Sequence, residues 1–229
     1  MRIAIDVNGV LRNTILKIEQ VYSKHYLENN IVDDSLKTYT LDDSGNTEIN
    51  QVEENSFKYE IVLPVTSSEL YEHFKFPTKE DFFNFLFEDF TMEIFGHSPS
   101  VETFTFNILN DLYTELRNEH DFLIVSNEIG KSKPSTLFFL SKFGCLLEKV
   151  KFFSDYTINS MWDEIDVLLT SNPNLLLSHP KDKVVVKFKT TYNEDIKSDI
   201  EIENLKDFKN KLNEIKEEYD KCNGRKLLC

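Results

Sequence analysis

The chain has 229 residues, 40% of them hydrophobic, enough to bury a core of one good-sized domain or of a domain carrying an insertion. Forty acidic residues against 26 basic ones leave a net charge of −14, the reverse of a surface that neutralises phosphates, so a nucleic-acid partner is not expected. No apolar run reaches the ~20 residues of a membrane span; Met1-Arg2 leads straight into a strand pattern with no signal-peptide pattern; and Cys145, Cys222, Cys229 and five scattered His lack metal-ligand spacing. These features predict a soluble, cytoplasmic protein with free thiols and no membrane partner.

Residues 3–7 read as a short buried strand with one acid, Asp6, near its end, and Gly9 follows where the chain must turn sharply. An acid at the carboxyl end of a buried strand lies where α/β sheets place ligands, although it could simply cap a turn. Ile15, Ile18, Val21 and Tyr22 give helical spacing over 14–29. From residue 31 to about 97 the character changes. Turn clusters at 33–35 and 42–46, a strand over 57–63 stopped by Pro64, and short helices starting near Thr66 and Thr78 are expected. The second of these helices carries Phe82, Phe83, Phe85, Leu86, Phe87 and Phe90. Such a crowd serves either core packing or contact with another chain.

A helix over 100–118 is expected to bury Phe104, Ile108, Leu109, Leu112 and Leu116. The apolar run 121–126 is a second buried strand ending in the hydroxyl of Ser126, and Asn127 turns the chain. Lys131 and Lys133 precede a helix over 135–143 closed by Gly144. Further strands fall at 150–154, 166–170, 183–189 and 199–202; the strand over 166–170 ends in the hydroxyl of Thr170, and Ser171 begins the turn after it. A charged helix over 205–219 and a loose tail beyond Gly224 complete the pattern. Strands alternating with helices specify an α/β, Rossmann-like domain with a largely parallel sheet.

The stretch Asp6-Val7-Asn8-Gly9-Val10-Leu11-Arg12-Asn13-Thr14 resembles the first motif of the haloacid dehalogenase (HAD) superfamily, Asp-x-Asp-Gly-x-Leu-x-x-Thr. The resemblance places Asp6 on the nucleophile and Asn8 on the general acid/base. Ser126 takes the phosphate-binding hydroxyl, next to Asn127, and Lys131 or, favoured by Pro134 in the first turn of the helix, Lys133 takes the charge-balancing lysine. Residues 167–173, Val-Leu-Leu-Thr-Ser-Asn-Pro, resemble the Asp-Asp-Asn-Pro pattern of deoxynucleotidase-like members, with Thr170 and Ser171 where the metal-binding acids stand. Asp163 and Asp166 fall at the other end of that strand, ~13 Å away. The same resemblance makes residues 1–30 and 98–229 the core domain and 31–97 an inserted cap.

An Asn amide cannot transfer a proton near neutral pH, and hydroxyls attract Mg²⁺ far less than carboxylates do. The motifs are therefore degenerate, and efficient phosphatase turnover is not expected. The expected role is an interaction or structural module with other protein subunits as partners, as a homo-oligomer or within a larger assembly. The Lys/Asn/Glu/Phe-rich, Gly-poor composition is common in AT-rich bacteria and their phages, so the assembly includes a phage virion among its candidates. The alternative is a Mg²⁺-dependent phosphohydrolase on a small phosphoester or nucleotide, with Asp6 attacking, Ser126 and Lys133 holding the phosphate and a further, unrecognised acid holding the metal. No cofactor is expected unless that alternative holds.

Overall fold

Ile3, Ala4 and Ile5 are fully buried because β1 (Arg2–Asp6) has a hydrophobic layer on each face. The computed structural model describes residues 1–27, 39–41, 47–49, 65 and 70–226. Among them, β2 (Tyr39–Leu41) and β3 (Thr47–Ile49) form a two-stranded antiparallel pair. The main sheet joins β1 to β4 (Asp121–Asn127), β5 (Val150–Phe153), β6 (Val167–Thr170), β7 (Val184–Phe188) and β8 (Ile200–Ile202). All its pairings are parallel, in the order β5-β4-β1-β6-β7-β8. The chain thus steps outward from β1 to β5, returns to the other flank of β1, and steps outward again to β8. The reversal lies between β1 and β6, the position where open α/β sheets form a ligand crevice beyond their carboxyl ends.

The period of two along each strand divides the core. Ile3, Ile5, Phe122, Ile124, Val167, Leu169, Val184 and Val186 face one layer, while Ala4, Leu123, Val125, Leu168 and Val185 face the other. A third cluster stands apart from the sheet. Ile18, Val21 and Tyr22 of α1 (Thr14–Tyr22) pack with Phe74 and Phe76, which follow α2 (Leu70–His73), and with Phe85, Leu86, Ile94 and Phe95, which follow α3 (Lys79–Asn84). Tyr22 holds this cluster together, its ring centroid 5.2 Å from Phe74 and 5.4 Å from Phe76. The first sheet layer is covered by α4 (Thr105–Leu116), α5 (Ser132–Lys142), α8 (Leu205–Asn210) and α9 (Leu212–Lys226). The second is covered by α6 (Ile158–Glu164) and α7 (Pro173–Leu177), through Met161, Trp162, Leu175 and Leu176.

Several expectations change. α4 starts at Thr105, so Phe104 lies outside its buried face and is 64% exposed, while Thr105 and Phe106 take the inward places. The helix expected over 205–219 is two helices. α8 ends at Asn210, and α9 continues through Gly224 to Lys226, where a loose tail was expected. The aromatic crowd is mostly packing, with Phe85 fully buried, but Phe83 stays 43% exposed. The strand over 57–63, the turn clusters at 33–35 and 42–46 and the helix start at Thr66 lie outside the described residues. No helix among the described residues is long and apolar enough to cross a membrane.

Candidate functional site

Parallel register brings the carboxyl ends of β1, β4 and β6 level: Asp6 is opposite Val125, and Ile5 is opposite Leu169. Asp6, Ser126 and Thr170 therefore converge although they are far apart in sequence. Asp6 is 3% exposed, and both carboxylate oxygens are engaged. Thr170 donates its hydroxyl to Oδ2 at 2.7 Å, and the backbone N–H of Asn8 donates to Oδ1 at 3.2 Å. Burial raises the Asp6 pKa to about 7, outweighing the two hydrogen bonds and the attraction of Arg12 that pull it down.

Asn8 is the crossing point of the site. Its side-chain N–H donates to Ser126 Oγ at 3.2 Å, and its Oδ1 accepts from Thr14 Oγ1 and from Arg12 Nη2, each at 2.7 Å. The turn after it is tight. Gly9 has φ +75°, and a Cβ there would meet Ser171 Oγ at 2.1 Å and the Tyr192 hydroxyl at 2.2 Å. Ser171 donates to the Asn8 carbonyl at 3.2 Å and lies 2.7 Å from the Tyr192 hydroxyl. Asn193 fixes this segment by donating to the Ser171 and Phe188 carbonyls, each at 2.9 Å.

Behind Asn8 lies a buried ion pair that the sequence reading did not single out. Arg12 is 0% exposed and Glu128 is 1% exposed. All five guanidinium N–H groups are used. They bond Thr14 Oγ1 at 3.2 Å, the Phe95 carbonyl at 2.8 Å, Thr136 Oγ1 at 2.5 Å, Asn8 Oδ1 at 2.7 Å, and Glu128. The guanidinium centre lies 5.0 and 5.3 Å from the ring centroids of Phe95 and Phe139, within cation–π range. Glu128 also accepts from Ser126 at 2.9 Å and from Thr136 at 2.6 Å. The signal available in sequence was an arginine directly after the apolar pair Val10-Leu11, and an acid two residues after a strand-ending serine.

The structure thus joins Asp6, Asn8, Ser126, Thr170 and Ser171 in one hydrogen-bonded set. Lys133 is not part of it. It is exposed, its ammonium 5.9 Å from the Phe152 ring centroid, and the neighbouring Lys131 pairs with Glu88. The reason is the helix start: α5 begins at Ser132, whose side chain is buried, so the adjacent lysines face outward. Asp166 pairs with Arg2 at the opposite end of β6, as its place at the start of the strand requires.

Mg²⁺ is the ion that the fold brings into question. It needs near-octahedral oxygen donors, usually with one or two carboxylates. Here Asp6 is the acid at the carboxyl end of β1, with Thr170 donating a proton to it, and Glu128, just beyond β4, is paired with Arg12. Ser171 likewise donates to the Asn8 carbonyl. Hydroxyl protons are thus directed at the two oxygens a cation would use, and no cluster of three or more potential ligands occurs among the described residues. The donor set in this arrangement does not fit Mg²⁺.

A cleft of about 240 Å³ opens beside Asn8 and Gly9, between the sheet ends and the third hydrophobic cluster. Its described lining includes the polar Asn127, Asn172 and Tyr192 and the apolar Ile18, Phe87 and Phe95.

No family model matches the sequence, and no curated protein matches it. Among solved structures, the chain is similar to a "putative haloacid dehalogenase-like hydrolase" from Burkholderia xenovorans LB400. The identity is 11%, over 90% of this chain and 94% of that one, with a TM-score of 0.50. At that identity the likeness concerns the fold: an α/β, Rossmann-like architecture of the HAD type.

Proposed function

We propose that this protein is a HAD-fold module that acts by binding rather than by turning over phosphoesters, with degenerate motifs of the deoxynucleotidase-like kind. One observation carries the reading: Asp6 is buried with Thr170 donating to one oxygen and the Asn8 N–H to the other. A nucleophilic carboxylate must be ionised and reachable; burial raises the Asp6 pKa to about 7, so about half of it is protonated at neutral pH, and both of its oxygens are already engaged. Three further features support it. Asn8 cannot act as an acid or base, the lysines expected to balance charge face solvent, and the donor set does not fit Mg²⁺. Partners are other protein subunits, and the composition suggests an assembly such as a phage particle. In this reading the region 31–97 is an inserted cap.

The competing reading, a Mg²⁺-dependent phosphohydrolase, is motivated by the hydrolase named among its fold neighbours. Both are tested by phosphatase assays on a phosphoester and nucleotide panel with and without Mg²⁺, using wild type, Asp6→Asn, and the repaired Asn8→Asp with Thr170→Asp. The expected result is no difference between wild type and Asp6→Asn. Mg²⁺-dependent turnover by wild type, lost in Asp6→Asn, would overturn the binding-module reading. Loss of a proton-transfer group alone typically lowers rates ~10²–10⁴-fold, so a working site would be plain to see.

A further inference from the structure

The cleft at the sheet ends is the feature the preceding reading leaves without a task. Its volume of about 240 Å³ lies below the ~300 Å³ typical of drug-sized ligands, so it suits a compound of one or two rings. None of the described residues lining it is charged. Its apolar lining is partly aromatic. Phe87 and Phe95 stack with centroids 5.4 Å apart and planes 17° apart, and Ile15, Ile18 and Leu86 belong to the same lining. Its polar lining is amide and hydroxyl. Asn127 and Asn174 are part of it, and their side-chain amides bond no described residue, leaving donors and acceptors in the lining.

The Arg12–Glu128 pair beside the lining residue Asn8 is neutralised from within. Arg12 lies directly behind Asn8, and its five N–H groups are spent on protein acceptors, Glu128 among them. Ser126 also directs its hydroxyl to Glu128 rather than toward the cleft. Glu128 thus occupies the donors that an incoming anion would need. Lys131 and Lys133 face away.

We infer that this cleft binds an uncharged ring compound bearing an amide or hydroxyl group, stacked against Phe87 and bonded by Asn127 and Asn174, and that Glu128 excludes anions from it. This rests on the reading of the site as non-catalytic and adds the class of ligand.

The test uses the full chain and three ligands of matched shape: benzamide, benzoate and phenyl phosphate. Binding is followed by ligand-observed NMR and calorimetry, with phosphate release monitored in the same samples. Benzamide is expected to bind with a Kd of about 1 mM or tighter, and both anions at least tenfold more weakly. Phe87→Ala should weaken benzamide about tenfold, whereas Tyr156→Ala, at a fully exposed site, should leave it unchanged. Glu128→Gln, checked for folding by its melting transition, should raise anion affinity at least threefold while keeping benzamide bound. Should Glu128→Gln not fold, the wild-type ligand ranking and Phe87→Ala decide alone. Absence of benzamide binding, or anions binding as well as benzamide, overturns the inference. Phenyl phosphate bound as tightly as benzamide but intact removes this inference and leaves the binding-module reading standing. Phenyl phosphate bound and hydrolysed removes both.

Discussion

The two ends of β1 each carry an arginine–carboxylate pair, and burial makes them different devices. At the amino end, Arg2 and Asp166 meet at 2.7 Å with side chains 43% and 14% exposed. Water still solvates the guanidinium, so the pair fastens β1 to β6 without deciding whether the fold exists. At the carboxyl end, Arg12 and Glu128 are sealed from solvent, and every donor and acceptor depends on its neighbours. Desolvating two charges is expensive, and only a complete set of partners offsets it. The first pair is an accessory at the rim of the sheet. The second is a polar core built where the strand ends would otherwise present a binding site.

This contrast is open to attack, beginning with the buried pair. Glu128→Ala should lose about 3–5 kcal/mol of stability, because Arg12 would remain buried without its counter-charge. Urea denaturation measures it, and a loss under about 1 kcal/mol would mean that water already reaches Arg12. Replacing both members, Arg12→Met with Glu128→Leu, should recover much of that loss.

The next largest effect falls on the turn that closes the same end. Gly9→Ala should cost about 2–4 kcal/mol, from the positive φ and from overlap of a new Cβ with Ser171 and Tyr192. A neutral result in thermal unfolding would contradict the close approach described for that turn.

Asp6 tests the pH side of the comparison. Its folded pKa, about 7, stands above the ordinary 3.8. Between those values the folded protein holds a proton that the unfolded chain has released. Stability therefore falls as pH rises through that window and levels off above it. Asp6→Asn imitates the protonated acid, so it should remove this slope and stabilise the protein at pH 8 by on the order of 1–3 kcal/mol. Denaturation curves at pH 5 and pH 8 that shift equally for wild type and variant would show that Asp6 does not titrate in the window.

The smallest effect belongs to the rim. Burial would raise the Asp166 pKa, but its hydrogen bonds from Arg2 outweigh it and hold the pKa below the ordinary value. Its contribution is present above the unfolded pKa and disappears as pH falls through the folded one. Asp166→Asn should lose no more than about 1 kcal/mol at pH 7, given the exposed arginine. A loss matching that of Glu128→Ala would abolish the distinction between the two pairs.

Much of the site was legible because each of its members closes a strand. Asp6, Ser126 and Thr170 end apolar runs, and a parallel sheet aligns such ends without further information. Gly9 was legible because the turn demands its backbone. Lys133 was misleading: proline at a helix start fixes the turn but not which neighbouring side chain faces inward, and the buried Ser132 decided that. Phe104 failed for a similar reason, since a helix starting five residues later than expected leaves it outside the packed face.

The sequence by itself determined the strands of the parallel sheet, their division between two hydrophobic layers, and the edge of the sheet where the polar side chains gather. Those properties follow from periods of two and 3.6, which are set by local backbone geometry. Only the tertiary structure decided which charges are inside. Arg12 and Glu128 are 116 residues apart, and nothing in the sequence pairs them. A charge can be buried only when distant partners satisfy it together, and no local pattern records that arrangement. The same closure seals Asp6 under Thr170 and leaves an uncharged cleft beside it.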